Sequence, residues 1–320
     1  MKAKNIKKIT WLALVMMILL AVIPFGDHSG IYYVDREDGL TKKEQVAGEG
    51  WLVWLYNNPV GKATMTTLIK RKFVSDWYGK QMDAPDSKSK IEPFIKDFHI
   101  DMSIAQEQDY HSFNEFFYRK LKPDARPVNQ DSLVVVSPAD GKLLAFSDIE
   151  NQDFIVKGFK FNIGDYFDKQ DLIDRYKDGS LMIIRLCPTD YHRYHFPVNG
   201  RVVEDAMILG DYYSVSPIAL KKKIELLVMN KRSYCEIETR EFGKVVMSEV
   251  AATMVGTMIN TYQGPQVEKG QERGFFKFGG STVILFFEKG RIIIDADLLK
   301  NTAMGLETEV KMGTRIAIGI

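Results

Sequence analysis

Apolar and polar positions follow three different patterns along the 320-residue chain. An uncharged apolar run extends from Ile9 to Phe25, apolar positions have helical spacing over residues 50–83, and short β-rich runs separated by turn residues recur after Val128. Apolar residues three and four apart indicate amphipathic helices, whereas short apolar runs bounded by turns indicate strands. The pattern therefore predicts a helical region followed by a β-rich region.

The N-terminal apolar run predicts a membrane anchor over residues 1–25. About 17 residues is the lower limit for a helix that spans a bilayer. A cleavable signal peptide has the same basic start and apolar middle, but the run ends in Ile23-Pro24-Phe25 and no small-x-small cleavage site follows. We therefore expect an uncleaved anchor that places the protein at the cell membrane. The four lysines before the run favour a cytoplasmic amino terminus.

Residues 26–127 are predicted to form a linker and a helical, membrane-associated region. Residues 26–48 are polar and contain glycine, which is typical of a linker. Residues 50–83 combine tryptophans with a basic cluster at 70–72, a composition that suits a membrane interface. The alternative is an ordinary set of helices whose aromatic side chains pack into the core.

Residues 128–320 are predicted to form a β-rich domain. Pro123 and Pro127 break the helical pattern just before it. Regularly spaced short strands, joined by turns such as the one at 288–290, argue for a sandwich or barrel rather than for alternating strand–helix units. The predicted fold class is thus α+β, with a helical N-terminal region and a β-rich C-terminal domain.

Composition and charge exclude several classes of function. The net charge is +1, and nucleic-acid binding usually requires a strongly basic domain or stripe, so we expect no nucleic-acid partner. The two cysteines, Cys187 and Cys235, form no CxxC pair, which argues against structural zinc and a disulfide framework. We also expect no metal, because His192 and His195 lack a third ligand of matching spacing.

Three short motifs contain residue types that catalyse reactions, although each has an ordinary structural explanation by itself. Residues 137–142 read SPADGK after an apolar strand, where Asp-Gly is common in tight turns. Residues 190–197 read DYHRYHFP, and two histidines can supply a base and an acid near neutral pH. Residues 278–282 read FGGST, which alone is typical of a flexible loop.

The bond between Gly280 and Ser281 has specific chemical interest. Glycine leaves the peptide carbonyl open to attack and permits unusual backbone angles. The serine hydroxyl can attack that carbonyl in an intramolecular step, which proximity accelerates. The very apolar strand that follows would hold the bond in place while a base acts on the hydroxyl.

From about residue 50 to its end, the chain resembles phosphatidylserine decarboxylases. The sequences FGGST and DYHRYHFP are specific for that family and occur in the family's order. The matching segments are 112–128, 137–144, 190–202, 210–215, 241–258, 269–287 and 309–319. The chain departs from the usual family pattern at Lys231, Ala251 and Arg273, where glutamate, glycine and an apolar residue are common.

The resemblance implies a proenzyme that cuts itself between Gly280 and Ser281 and converts Ser281 into a covalent pyruvoyl cofactor. In that step Asp140, His195 and Ser281 would act as a triad, and His192 would serve substrate handling and decarboxylation. The implied reaction converts phosphatidylserine in a bilayer into phosphatidylethanolamine. The cleaved chains would stay together, as a monomer or a homodimer. The implied fold of the β-rich domain is a barrel-sandwich hybrid.

Two other functions fit parts of the same pattern. One is a pyruvoyl-dependent decarboxylase of a different amino-acid substrate; the anchor and the tryptophan-rich region count against it. The other is an inactive binding protein with a hybrid fold; the intact Asp140, His195 and Ser281 count against that.

Overall fold

A computed structural model of the chain describes residues 11, 12, 15, 30–69, 71–149, 162–220, 226–252, 258–279 and 281–320. The predicted anchor over residues 1–25 lies outside these residues except at three positions, and Gly280 lies outside them as well. Among the described residues, no helix is both long enough and apolar enough to cross a membrane. The described chain is mixed α+β, as predicted.

Short helices dominate the described chain before residue 120 and recur at a few later points. They are α1 (Glu49–Asn57), α2 (Pro59–Thr64), α3 (Lys72–Asp83), α4 (Ile91–Phe98), α5 (Phe113–Phe117), α6 (Ile163–Tyr166), α7 (Gln170–Tyr176), α8 (Pro217–Leu220), α9 (Leu226–Met229) and α10 (Ala296–Ala303). A π-helical turn (Met65–Ile69) follows α2, and a 3₁₀ turn (Pro85–Lys90) precedes α4. The helices predicted over residues 50–83 are confirmed.

The break between α1 and α2 follows from local chemistry. Asn58 has an extended backbone, and its side chain accepts hydrogen bonds from the backbone N–H groups of Val60 and Gly61. Such a side chain satisfies donors that the first helical turn leaves without partners, and Pro59 suits the first helical position because it has no N–H.

The strands form one large sheet and two small ones. They are β1 (Tyr32–Asp35), β2 (Thr41–Lys43), β3 (Val134–Val136), β4 (Gly141–Phe146), β5 (Ser180–Leu186), β6 (Arg193–His195), β7 (Gly200–Ile208), β8 (Arg232–Glu238), β9 (Lys244–Val250), β10 (Met258–Asn260), β11 (Gln266–Val267), β12 (Glu272–Phe276), β13 (Ser281–Phe287), β14 (Ile292–Ile294), β15 (Glu307–Val310) and β16 (Arg315–Gly319). The large sheet has the order β11-β7-β8-β9-β13-β5-β4-β15-β1-β2, and the small sheets have the orders β10-β12-β6 and β14-β16-β3. The sheets are open, and the described strands close no barrel.

Strand β13 lies in the interior of the large sheet, between β5 and β9, and pairs antiparallel with both. All seven of its residues are buried. Val283, Leu285 and Phe287 belong to the apolar core on one face of the sheet, and Ile284 and Phe286 belong to the core on the other. Alternate side chains of a strand point to opposite faces, so a strand with two buried faces needs a continuous apolar sequence.

The prediction of a linker over residues 26–48 needs correction. Strand β1 pairs parallel with β15 and antiparallel with β2, so both join the edge of the large sheet. Just after β2, Glu44 accepts a hydrogen bond of 2.6 Å from Arg185, and both side chains are buried. Strands of three and four residues are too short to show a periodic pattern, and β15, the partner that joins β1 to the sheet, pairs Glu307 with Tyr33, which is 307 − 33 = 274 residues earlier.

Arg273, which departs from the resembled family, is fully buried but paired. Its Nε donates to Glu249 at 2.8 Å, and its Nη1 donates to Asp205 at 3.1 Å. Glu249 also accepts a hydrogen bond of 2.5 Å from the Ser233 hydroxyl. A buried charge is costly unless it is both paired and hydrogen-bonded, and this network meets that condition.

Candidate active site

Ser281 is the first residue of β13, and the pairing of β13 with β5 places it opposite Leu186. Its side chain is completely buried, and its Oγ has no hydrogen-bond partner among the residues that the structure describes. Gly279, two residues earlier, has φ of +140°, a conformation that residues with a side chain rarely adopt. A glycine is therefore needed at this approach to the strand.

The two histidines lie on the segment that leaves β5 beside Ser281. The backbone N–H of His195 donates to the carbonyl of Pro138 at 2.8 Å, and the carbonyl of His192 accepts from the N–H of Phe276 at 3.0 Å. Strand β6, which ends at His195, also pairs with β12. The backbone of this segment is thus tied to the SPADG turn on one side and to the FGGST approach on the other.

The ring of His192 is held in one orientation. It lies against the ring of Phe117, with 3.8 Å between the ring centroids, and its Nδ1 is 2.9 Å from the carbonyl oxygen of Asp190. Because a carbonyl only accepts hydrogen bonds, Nδ1 carries the proton and Nε2 has a free lone pair. Burial lowers the pKa of His192 to about 3, so the ring is neutral at physiological pH.

His195 is also neutral, because burial lowers its pKa to about 4. Its Nε2 is 3.3 Å from the hydroxyl of Tyr191, and its Nδ1 has no partner. A neutral imidazole of this kind can accept a proton, as a general base must.

Asp140 is buried in the turn between β3 and β4, but its hydrogen-bond partners differ from those of a standard triad. It accepts hydrogen bonds from the Arg126 guanidinium and from the backbone N–H of Met312, the latter at 2.8 Å. No hydrogen bond joins Asp140 to His195 in the described part of the chain. The carboxylate is nevertheless close enough to favour the protonated form of His195.

Buried polar atoms without partners concentrate at this place. Within the described part of the chain, no hydrogen bond is made by Oγ of Ser281, Oγ1 of Thr282, Nε2 of His192 or Nδ1 of His195. Most buried polar groups in proteins are paired, and leaving one unpaired costs about 1–3 kcal/mol. Such a cluster on adjoining segments is typical of a site that is arranged for a reaction.

An apolar cavity of about 410 Å³ lies next to the FGGST motif. Phe278, Gly279 and Leu186 belong to its lining, which also includes the charged residues Glu44 and Arg185. The remaining walls come mainly from the N-terminal helices, including Trp51, Leu52, Leu55, Met65, Tyr78 and Phe94. A mostly apolar cavity with a few polar groups is the usual form of a small-molecule or lipid site.

The structure brings Ser281 and both histidines onto neighbouring segments, as the sequence predicts. Sequence reasoning assigned no role to Arg126, Tyr191 and Phe117, which contact Asp140, His195 and His192, respectively. All three lie inside segments that match the resembled family, and this match is the feature of the sequence that could have pointed to them.

A buried serine at the start of a strand, with two neutral histidines on the adjoining segment, has the residue types of an enzyme site of the nucleophilic type. Residues 113–318 match the family model described as phosphatidylserine decarboxylase. The phosphatidylserine decarboxylase proenzyme of Fusobacterium nucleatum is 47% identical over 289 residues, which are 89% of this chain and 96% of that protein. The proenzyme of Clostridium novyi is 43% identical over 88% of this chain and 97% of its own length. The chain therefore belongs to the phosphatidylserine decarboxylase family.

The buried histidines predict a pH-dependent stability. Both have a lower pKa in the folded protein than the value of about 6.5 in the unfolded chain, so the unfolded chain binds more protons below that pH. The free energy of unfolding should fall by about 2 kcal/mol per histidine between pH 7 and pH 5. Urea unfolding of a Ser281→Ala chain, which lacks the nucleophile, measures this change.

The matched comparison uses His192→Gln/His195→Gln and, at an exposed position, His111→Gln, each in the Ser281→Ala background. The double variant should lose most of the pH dependence between pH 7 and pH 5, and the His111 variant should keep it. Equal pH dependence in all three chains would contradict the depressed pKa values.

Proposed function

We propose that this chain is a membrane-bound phosphatidylserine decarboxylase that cleaves itself between Gly280 and Ser281. The observation that carries the proposal is the buried, unpartnered hydroxyl of Ser281 beside the apolar cavity. The match to relatives named as proenzymes supports the same assignment. The pyruvoyl group formed from Ser281 would be the only cofactor that the reaction needs.

Self-cleavage begins with the transfer of the Ser281 proton to His195, which Asp140 assists. The serine oxygen attacks the carbonyl carbon of Gly280, and the peptide bond becomes an ester as the amine of residue 281 is released. Removal of the α-proton of residue 281 then breaks the bond between its side-chain oxygen and Cβ. This step frees the carboxylate of Gly280 and leaves a dehydroalanine, which water converts into a pyruvoyl group and ammonia.

The two products, residues 1–280 and 281–320, should stay together after cleavage. The small chain begins with β13, which pairs with β5 over seven residues and with β9 over six. It also contains β15, which pairs with β1 and β4, and β16, which pairs with β3. Removing it would expose the centre of both apolar cores, so dissociation is opposed by the same burial that stabilises the fold.

In the decarboxylation, the pyruvoyl group supplies an electron sink for the bond that releases carbon dioxide. His192 is suited to move the proton. Its Nε2 can take the proton that the substrate ammonium loses and return a proton to the carbon that has lost carbon dioxide. The contact with Phe117 and the hydrogen bond to the Asp190 carbonyl fix the orientation of the His192 ring.

The location that we propose is the membrane surface, with the acyl chains of the substrate entering the cavity. Trp51 lines the cavity and is 47% exposed, which places it at the mouth. Phe73 and Trp77 lie one turn apart on α3 and are each 61% exposed. Exposed aromatic residues near lysines suit the interface between lipid and water. The apolar run over residues 1–25 would add an anchor.

We further propose a hybrid-type fold for the β-rich domain, which the strand–SPADG turn supports.

Replacing the nucleophile should stop self-cleavage. The unsubstituted protein should give two chains, the smaller one starting with a blocked pyruvoyl residue, and Ser281→Ala should give one chain of full length. Intact-mass measurement distinguishes these products. Thr282→Val removes the other unpartnered hydroxyl of the motif and should still be cut at the same bond. If the Ser281→Ala chain is cut there, another group is the nucleophile.

The two histidines should separate in function. His195→Ala should lower the rate of self-cleavage by about 10²–10⁴-fold, because the general base is lost. His192→Ala should still be cleaved but should lose decarboxylase activity by a similar factor. Gel analysis of cleavage and an assay of released carbon dioxide measure the two steps. The same loss of cleavage in both variants would refute this division of roles.

Filling the cavity should impair substrate use without affecting maturation. Leu52→Trp places a larger side chain in the cavity and should lower kcat/KM for long-chain phosphatidylserine by tenfold or more, with a smaller effect on short-chain forms. Leu133→Trp, at an exposed position away from the cavity lining, is the control. Undiminished kcat/KM in the Leu52 variant, or turnover of free amino acids in preference to the lipid, would favour a soluble substrate.

A further inference from the structure

Arg126 holds the Asp140 carboxylate from the loop that precedes the β-rich domain. Its Nε donates to Oδ1 at 2.9 Å and to Oδ2 at 3.0 Å, and its Nη2 donates to Oδ2 at 2.5 Å. Its Nη1 donates to the carbonyl of Ala125 at 2.7 Å, which directs the guanidinium. A two-point pair of this kind fixes the orientation of a carboxylate as well as its position.

A count of hydrogen bonds shows which part of Asp140 is still available. A carboxylate has about four acceptor positions. Three N–H donors reach the carboxylate: the Nε–H of Arg126, which is shared between both oxygens, one N–H of its Nη2 on Oδ2, and the backbone N–H of Met312 on Oδ1. Three donors for about four positions leave room for one further donor. His195, which has a buried Nδ1 without a partner, lies on the neighbouring segment, where its N–H bonds the carbonyl of Pro138 two residues before Asp140.

We propose that Arg126 is a positioning residue for self-cleavage. It presents the open side of the Asp140 carboxylate to His195 and balances the charge of that carboxylate, so that His195 is oriented but still neutral. The inference rests on the proposed function, in which His195 accepts the proton of Ser281. Arg126 touches neither the substrate nor the reacting atoms and acts through Asp140.

The charges around His195 determine the sign of the expected effect. Asp140 and Glu272 favour its protonated form, and Arg193 opposes it. The Tyr191 hydroxyl contacts its Nε2. The cations that face Asp140 are Arg126, Arg119 and Lys311. Without the positive charge of Arg126, the negative charge of Asp140 is less compensated at His195. The protonated form of His195 then becomes more favourable, and the pKa of His195 rises.

Two measurements on Arg126→Gln test the proposal. In the Ser281→Ala chain, NMR titration of the histidines should show the pKa of His195 raised by about one unit from its low value. In the chain with Ser281 present, cell-free synthesis followed by gel analysis should show self-cleavage slowed at least tenfold. Arg36→Gln removes a comparable fork, to Asp295 and Asp297 in another part of the sheet, and should change neither quantity.

Arg126→Lys separates orientation from charge and serves as the test if the glutamine variant does not fold. Lysine keeps the charge but has no planar fork, so the pKa of His195 should stay low while cleavage is slowed. Cleavage of Arg126→Lys at the rate of Arg36→Lys would overturn the proposal, as would an unchanged pKa of His195 or an unchanged cleavage rate in Arg126→Gln. Cleavage of the Ser281→Ala chain would instead refute the proposed function. The NMR titration does not depend on cleavage, so it would still show whether Arg126 affects the pKa of His195.

Discussion

The pairing of β13 with β5 and β9 is the interaction on which the rest of the structure depends. It fixes Ser281 opposite Leu186, directly before the segment that carries both histidines. A slip of β13 by one residue would move every side chain to the opposite face, where the core is packed around side chains of other shapes. Ser281 is therefore held at the start of a strand that packs into two apolar cores.

Burial of the site has a cost that the surrounding sheet offsets. The hydroxyl of Ser281 and one ring nitrogen of each histidine lack partners, and both histidines are kept neutral by desolvation. Polar groups in such a state reduce stability and persist only where the surrounding structure holds them firmly. In the self-cleavage that we propose, these groups could act as base and nucleophile without first breaking other hydrogen bonds.

The helical region and the β-rich domain meet at the site. Phe278, the first residue of the FGGST motif, packs against Phe113 and Phe117 of α5, and Phe117 also contacts the ring of His192. Behind this contact lies the apolar cavity, whose walls come from α1, α3 and α4 on one side and from β5 on the other. Both regions therefore contribute to the apolar cavity beside Gly279.

The sequence by itself indicated a helical region before a β-rich one, identified the family and singled out Ser281, His192, His195 and Asp140 as candidates, because periodicity and short motifs are local properties. Only the tertiary structure decided that β1 and β2 join the sheet, that Asp140 is paired with Arg126 rather than His195, and that a cavity adjoins Gly279. These features depend on contacts between segments far apart in the chain. A local pattern of residues carries no information about which distant backbone or charge will lie against it once the cores have packed.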